Sequence, residues 1–182
     1  MKRIQLLPFG SVPGELLAEL CRGLSHEFAV PCKMLNPEPD PVFAYNVARK
    51  QYHSTEILAT LMRRTAAENC HTLGVTLFDL YIPILTFVFG EAQLQGTCAV
   101  VSAHRLHQEF YGLPADPSLL SERLLKEAVH EMGHTLALSH CEDYQCVMAA
   151  SHGVEWIDLK TSRFCPACRA VVQSHASIKA AL

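Results

Sequence analysis

The sequence predicts a single domain of mixed α and β structure, and three observations lead to that expectation. Apolar and amphipathic stretches alternate along the chain, with no internal repeat and no low-complexity linker. The length of 182 residues suits one domain with a substantial hydrophobic core. Because 49% of the residues are hydrophobic and only 18% are charged, we exclude a disordered chain.

The first half of the chain alternates between predicted strands and helices. Residues 4–9 and 29–35 are apolar runs of strand length. Between them a helix is predicted from Pro13, since proline suits a first helical turn. Its apolar face carries Leu16, Leu17, Leu20 and Leu24. Three prolines in residues 36–41 indicate a loop, and apolar residues at helical spacing predict a second helix from residue 54 to about residue 67.

The second half adds the remaining strands and a long helix. Further strands are predicted at residues 74–81, 84–89 and 98–103. Residues 84–89 follow Pro83, and proline cannot donate to a central ladder, so we expect this segment to be an edge strand. A helix is expected over residues 118–136, because Pro117 suits its first turn.

Charge and hydropathy narrow the classes of function. The formal net charge is -3 and no long stripe of Lys or Arg is present, which argues against nucleic-acid binding. No apolar run reaches the roughly 18 residues that a membrane-spanning helix needs. The N-terminal stretch has a broken apolar core and no small-residue cleavage site, so we do not expect it to act as a signal peptide. We therefore expect a cytoplasmic protein whose cysteines are reduced.

Two histidines lie one turn apart on the last predicted helix. His130 and His134 fall about 40° apart on one helical face, which suits two ligands on one metal ion. Glu131 lies beside them, placed to reach a water on the metal rather than the metal itself. His140 can bind the same metal ion only if the helix ends before it, since an unbroken helix would place His140 about 240° round the helix axis from His134. Three imidazoles would leave one coordination position of the ion for water, as in a catalytic zinc site. The competing explanation is a chance cluster of histidines in a histidine-rich chain.

Four of the eight cysteines crowd into the last quarter of the chain: Cys141, Cys146, Cys165 and Cys168. Two short pairs can surround a tetrahedral ion, because each pair bends its own backbone round it. Four thiolates close the shell, so a structural zinc is expected, although iron could occupy such a site. A redox Cys-Pro-x-Cys is the main alternative, but it leaves Cys141 and Cys146 unexplained. Because His140 and Cys141 are adjacent, an ion held by the four cysteines would also fix the backbone that carries the third histidine.

The combined motif resembles that of the archaemetzincins, a branch of the metzincin zinc metalloproteases. The resemblance rests on the run from His130 to Cys141, on Cys146-Val147-Met148 and on the later Cys165-x-x-Cys168 pair. Shorter upstream matches are Arg49-x-Gln51-Tyr52, Asp79-Leu80-Tyr81-x-Pro83 and Phe87-Val88-Phe89-Gly90-Glu91-Ala92. The likeness therefore covers most of the chain.

The resemblance implies an α+β fold of the compact zincin-like (metzincin) type. Its features are a mixed twisted sheet with an antiparallel edge strand, an active-site helix and a C-terminal helical subdomain that bears zinc. It implies one metalloprotease domain over residues 1–182, with an upper subdomain to about residue 137 and a lower one from about residue 138. The family's edge strand, which pairs with extended substrate, would correspond to residues 84–89.

The resemblance also implies roles for individual residues. His130, His134 and His140 would bind a catalytic zinc, Glu131 would act on its water, and Met148 would form the turn beneath the metal. A second, structural zinc would bind Cys141, Cys146, Cys165 and Cys168, which makes two zinc ions per chain. The remaining histidines belong to no motif and are expected at the surface or in packing roles.

Two positions depart from the family pattern. Ala137 stands where metzincins have glycine, and an alanine forced into the left-handed conformation costs about 1 to 2 kcal/mol. Ala150 stands where some metzincins place a tyrosine that assists the oxyanion. Tyr144 and His152 are the nearby candidates for that role.

We therefore expect a zinc-dependent metallopeptidase that acts as a monomer on an extended peptide or protein. Glu131 is the discriminating residue, because a purely structural metal site has no use for a carboxylate beside an open position. One alternative is a zinc-stabilised interaction or regulatory protein with little or no peptidase activity. Another is a zinc hydrolase that acts on a non-peptide amide.

Overall fold

The computed structural model describes residues 1–64 and 70–178, with side chains described up to residue 174. Its strands are β1 (Arg3–Phe9), β2 (Cys32–Met34), β3 (Tyr45–Asn46), β4 (Gln51–His53), β5 (Cys70–Thr76), β6 (Leu80–Tyr81), β7 (Gly90–Ala92) and β8 (Cys98–Ser102). Its helices are α1 (Gly14–Phe28), α2 (Ser54–Arg64), α3 (Pro117–Thr135), α4 (Val154–Leu159) and α5 (Pro166–Ile178). No helix within these described ranges is both long and apolar enough to cross a membrane.

Five strands form the main sheet, in the order β2-β1-β5-β8-β7. The first four run parallel, and β7 pairs antiparallel with β8, so that Gly90 lies opposite Val101 and Ala92 opposite Ala99. A smaller sheet joins β3, β4 and β6. The expected mixed sheet with an antiparallel edge strand is confirmed.

The side chains of the main sheet alternate between two cores, as the two-residue period of a strand requires. Leu6 and Val101 face one core, which α1 and α3 cover. Leu7 and Val100 face the other core, which α2 covers. Because both faces are buried, β1 and β8 carry apolar residues on both sides, which is why they are almost continuous apolar runs in the sequence.

The edge strand predicted at residues 84–89 is wrong. Residues 83–86 form a turn and a bend instead. The carbonyl oxygens of Leu85 and Thr86 accept hydrogen bonds from the Arg49 guanidinium, at 2.7 and 2.9 Å, in place of ladder bonds. Val88 forms a single bridge to Leu80, and the edge strand of the main sheet begins only at Gly90.

Other element boundaries shift for local reasons. The strand predicted at residues 74–81 divides into β5 and β6, because the chain bends after Thr76, whose hydroxyl accepts a hydrogen bond from the Phe78 N–H at 3.2 Å. The second predicted strand shortens to β2, since Ala29 adopts a left-handed conformation (φ 53°) that ends α1. Residues 65–67 of the second predicted helix lie outside the described residues. The first strand, the first helix, the strand at residues 98–103 and the long helix are confirmed within a few residues.

Candidate metal centres and cleft

Helix α3 places the first group of candidate residues. It begins at Pro117, and the Asp116 carboxylate caps it by accepting a hydrogen bond from the Leu119 N–H at 2.9 Å. Its buried face, which includes Val129 and Met132, packs in the core beneath the sheet. The final turns carry His130, Glu131 and His134.

Helix α3 ends at Thr135, before His140, as binding of His140 to the same ion requires. The Ala137 N–H bonds the His134 carbonyl at 3.0 Å, and the Leu138 N–H bonds the Gly133 carbonyl at 3.2 Å. This pair of bonds is a Schellman motif with alanine, at φ 64°, in the position that glycine usually takes. The chain then turns back, so that the His140 ring centroid lies 5.3 Å from that of His130 and 5.2 Å from that of His134.

The three imidazoles are oriented for one ion. The Nδ1 atom of His130 lies 2.8 Å from the Val147 carbonyl oxygen, and the Nδ1 atom of His134 lies 2.7 Å from the Leu138 carbonyl oxygen. A carbonyl accepts but cannot donate, so the proton is on Nδ1 and each Nε2 lone pair is free. The two Nε2 atoms are 3.1 Å apart, and the ligand atoms of the three histidines lie within 4.8 Å of one another.

Electrostatics favour the neutral form that metals bind. Burial lowers the pKa of His130 well below its usual value, and the charge of Lys160 acts in the same direction. Burial likewise lowers the pKa of His134 and of His140. Neutral imidazole is the metal ligand, so this donor set fits a zinc ion.

Glu131 lies in the cleft beside the histidines, under the edge strand. A Cβ on Gly90 of β7 would come within 2.6 Å of Glu131 Cγ, so the strand passes directly over this side chain. Burial raises the pKa of the Glu131 carboxyl well above its usual value, and the charge of Glu127 adds to the effect. A carboxyl with a raised pKa suits proton transfer near neutral pH.

The cleft next to Glu131 is a cavity of about 390 Å³. The upper wall is the segment of residues 85–90, and the lower wall holds His140 and residues 150–152. His152, one of the two oxyanion candidates, therefore lines this cavity. Tyr144 is 63% exposed and lines a separate hollow near Trp156.

The four C-terminal cysteines form a second group, whose sulfur atoms all lie within 4.8 Å of one another. Cys141 Sγ and Cys165 Sγ are 3.8 Å apart, and the Cys165 N–H donates to Cys146 Sγ at 3.3 Å. All eight cysteines are free thiols. The convergence of four sulfurs fits a tetrahedral ion better than a redox pair, which needs only two.

One stretch of backbone joins the two groups. His140 belongs to the first group and Cys141 to the second, and the Cys141 N–H donates to the Met148 carbonyl at 2.9 Å. Met148 is fully buried, and its sulfur lies against Gly133 of α3. An ion held by the cysteines would therefore brace the turn that presents the third histidine.

Two buried residues near the cleft were missed by the sequence analysis. Lys160 Nζ lies 2.8 Å from Glu127 Oε1, both side chains are buried, and Lys160 also donates to the Ala149 carbonyl at 3.2 Å. Glu127 could have been found, because it lies one turn before Glu131 on the same helical face. Lys160 gave no local signal, since its partner is 33 residues away in the chain.

A polar network supports the upper wall and includes residues of two upstream motifs. The Asp79 carboxylate accepts two hydrogen bonds from the Arg105 guanidinium, at 2.7 Å each, and one from the Gln51 amide at 3.0 Å. Gln51 also accepts from Arg49 at 3.0 Å and donates to the Thr86 carbonyl at 3.0 Å. These side chains hold the turn at residues 85–86 against the small sheet.

The two groups differ in the chemistry that they allow. Three imidazoles leave a coordination position open for water or substrate, whereas four thiolates leave none. With a proton-transfer carboxyl next to the open position, the fold and site define a metal-dependent hydrolase.

Comparison with known proteins gives the family. Residues 26–174 match the model of Peptidase family M54, so the chain belongs to this peptidase family. It is 44% identical to the archaemetzincin of Methanocaldococcus jannaschii over 166 residues, which is 91% of this chain and 90% of that protein. The resemblance to the archaemetzincins is confirmed.

Solved structures support the same conclusion. The crystal structure of a zinc-dependent peptidase from Methanocorpusculum labreanum superposes with a TM-score of 0.86 at 32% identity, over 93% of this chain and 99% of that one. The archaemetzincin of Methanopyrus kandleri superposes with a TM-score of 0.84 at 36% identity, over 96% of this chain and 95% of that one. The predicted α+β, zincin-like fold is therefore confirmed.

Proposed function

We propose that the protein is a zinc-dependent metallopeptidase with one catalytic and one structural zinc. His130, His134 and His140 hold the catalytic ion, and Cys141, Cys146, Cys165 and Cys168 hold the structural one. The observation that carries the proposal is the convergence of three imidazole ligand atoms within 4.8 Å, next to the buried carboxyl of Glu131. A zinc ion in such a site lowers the pKa of a water and polarises the substrate carbonyl.

The residues of this chain have separate tasks. Glu131 takes the proton of the attacking water and returns it to the leaving amine, which its raised pKa favours. The carbonyl oxygens of Val147 and Leu138 hold the imidazoles of His130 and His134 in the tautomer that leaves Nε2 free.

The substrate is a peptide or protein segment that lies extended along β7. This strand is the edge of the main sheet and passes over Glu131, so its outer side can pair with a substrate strand. The corrected position of the edge, residues 90–92 in place of 84–89, brings the pairing strand directly above the proton-transfer group.

We further propose that residues 1–182 act as one domain and as a monomer, divided at about residue 137 into an upper and a lower part. All seven proposed ligands and Glu131 come from one chain, so the site is complete without a partner. Free cysteines suit the cytoplasm, where thiols stay reduced.

The test compares wild type with Glu131→Gln on a peptide library, with zinc measured in both proteins. We expect both to hold two zinc ions per chain and the variant to lose at least about 10²-fold in turnover, the scale of a general base. Glu15→Gln, at an exposed residue of α1, is the matched control and should cleave like wild type. Undiminished cleavage by Glu131→Gln contradicts the mechanism, and two zinc ions without Glu131-dependent cleavage favour an interaction protein.

A further inference from the structure

A buried lysine joins helix α3 to the lower wall of the cleft. Lys160 directly follows α4, and only 1% of its side chain is exposed. Its Nζ atom lies 2.8 Å from Glu127 Oε1 on α3 and donates a hydrogen bond to the Ala149 carbonyl at 3.2 Å. A buried ammonium is costly unless it is paired and hydrogen-bonded, so these two contacts fix its place. Through them, α3 and the backbone just before the lower wall are held to one another.

The lower wall has few other attachments. Residues 150–152 line the cavity beside Glu131. Within the part of the chain whose side chains the structure describes, none of these three residues makes a hydrogen bond to another residue. The Ala149 N–H donates to the Cys146 carbonyl at 2.9 Å, within the same turn. The bond from Lys160 to Ala149 therefore ties the start of this wall to the opposite side of the cavity.

Helix α4 does not depend on Lys160 for its own place. The Arg123 guanidinium on α3 donates two hydrogen bonds to the Asp158 carboxylate, at 2.7 and 2.6 Å. Ile157 of α4 is fully buried in the core. Because these contacts do not involve Lys160, its replacement should free the lower wall without releasing the helix.

We infer that Lys160 is a positioning residue for substrate binding, because it fixes the separation between α3 and the lower wall. It acts through the Ala149 carbonyl and does not itself contact the substrate. The inference rests on the proposed peptidase function and assigns a residue that keeps its binding cleft in shape. A wall that moves freely must be ordered each time a peptide binds, which lowers affinity. The proton transfer at Glu131 does not depend on that ordering once the peptide is bound.

The kinetic test replaces both members of the ion pair, as Lys160→Met/Glu127→Met, because removal of one member would leave a buried charge unpaired. In the zinc-loaded double variant we expect KM for a cleaved peptide to rise about three- to tenfold, with kcat within about twofold of wild type. The matched control is Lys126→Met/Glu122→Met. Lys126 is also buried and lies 2.6 Å from its carboxylate partner, but neither residue lines the cavity. A merely structural role would lower stability and leave KM unchanged.

A second measurement follows the lower wall without turnover. Trp156 is the only tryptophan of the chain, and it lines a hollow together with Ala149, Ala150 and His152. Its ring centroid lies 6.3 Å from that of His152. The ring is 48% exposed, and a mobile wall would uncover more of it. Acrylamide quenching of its fluorescence should therefore rise about 1.5-fold in Lys160→Met/Glu127→Met and stay at the wild-type value in the control variant.

The two measurements together decide the inference. An unchanged KM overturns it, and so does a higher KM with wild-type quenching, since the effect would then come from the altered side chain of Glu127 in the cavity lining. A rise in KM or quenching in the control variant also overturns it. If wild type cleaves no peptide, the peptidase function fails, and the quenching measurement still decides whether Lys160 holds the wall.

Discussion

Met148 lies directly against Gly133 of helix α3, in the space that a side chain at residue 133 would fill. A methyl group on Gly133 would overlap the Met148 sulfur and would come within 3.3 Å of the Phe164 ring. The neighbouring Val147 carbonyl accepts the hydrogen bond from His130 Nδ1 at 2.8 Å. The methionine therefore sets the distance between the histidine helix and the backbone that orients its first histidine.

Gly133→Ala should destabilise the protein by about 1 to 3 kcal/mol, because the added methyl overfills a packed site. The shift should appear in denaturant unfolding of the zinc-loaded protein, and zinc affinity at the histidine site should fall with it. Gly14→Ala is the matched control, since nothing lies within 4 Å of the added methyl there. An unchanged unfolding midpoint for Gly133→Ala would show that Met148 can move aside without cost.

Ala137→Gly should raise the free energy of unfolding by about 0.5 to 1 kcal/mol and leave the zinc content unchanged. Glycine removes the backbone strain of an alanine held at φ 64°. The greater conformational entropy of glycine in the unfolded chain offsets part of this gain in stability. Ala29→Gly tests the same relief at the end of α1, where φ is 53°. Loss of zinc in Ala137→Gly but not in Ala29→Gly would mean that the alanine itself places His140.

Arg49→Lys should raise KM by about three- to tenfold with little change in kcat or zinc content. The Arg49 guanidinium contacts the carbonyl oxygens of Leu85 and Thr86 together with the Gln51 side chain, and a lysine ammonium cannot match that planar geometry. The upper wall of the cleft would then be held less firmly. Arg63→Lys, on the exposed surface of α2, serves as the control in the same kinetic assay. A kcat loss with unchanged KM would contradict a role in substrate binding.

Cys165→Ser should remove the structural zinc and lower the zinc affinity of the histidine site as well. The reason is that Cys141 and His140 are consecutive, so loss of the thiolate cluster frees the turn that carries the third histidine. Metal analysis and thermal unfolding give the readout, and Cys21→Ser, at a cysteine outside the cluster, is the control. A histidine site that keeps its full affinity in Cys165→Ser would show that the two sites are independent.

Both candidate ligand sets could be predicted from the sequence because their geometry is local. The period of the α-helix places His130 and His134 on one face, whatever the rest of the chain does. Each cysteine pair likewise lies within a few residues of backbone. The same reasoning required a helix break before His140, and α3 ends at Thr135.

The edge of the sheet could not be predicted, because it depends on contacts between distant segments. Residues 84–89 have the apolar pattern of a strand, yet Arg49 takes the carbonyl oxygens that a ladder would need, from more than 30 residues away. The edge strand of the main sheet is therefore β7, whose three residues are too few to identify as a strand from the sequence alone.

The sequence by itself determined which side chains are available for chemistry: two sets of candidate metal ligands, a carboxylate beside one of them, and the family that carries this pattern. Only the tertiary structure decided what surrounds that chemistry: which strand overlies Glu131, and that Lys160 forms an ion pair with Glu127 beside the cleft. The division has a physical reason. Spacing along a helix or within a tight turn follows from backbone geometry, whereas a cleft is made by segments that meet only when the whole core has packed.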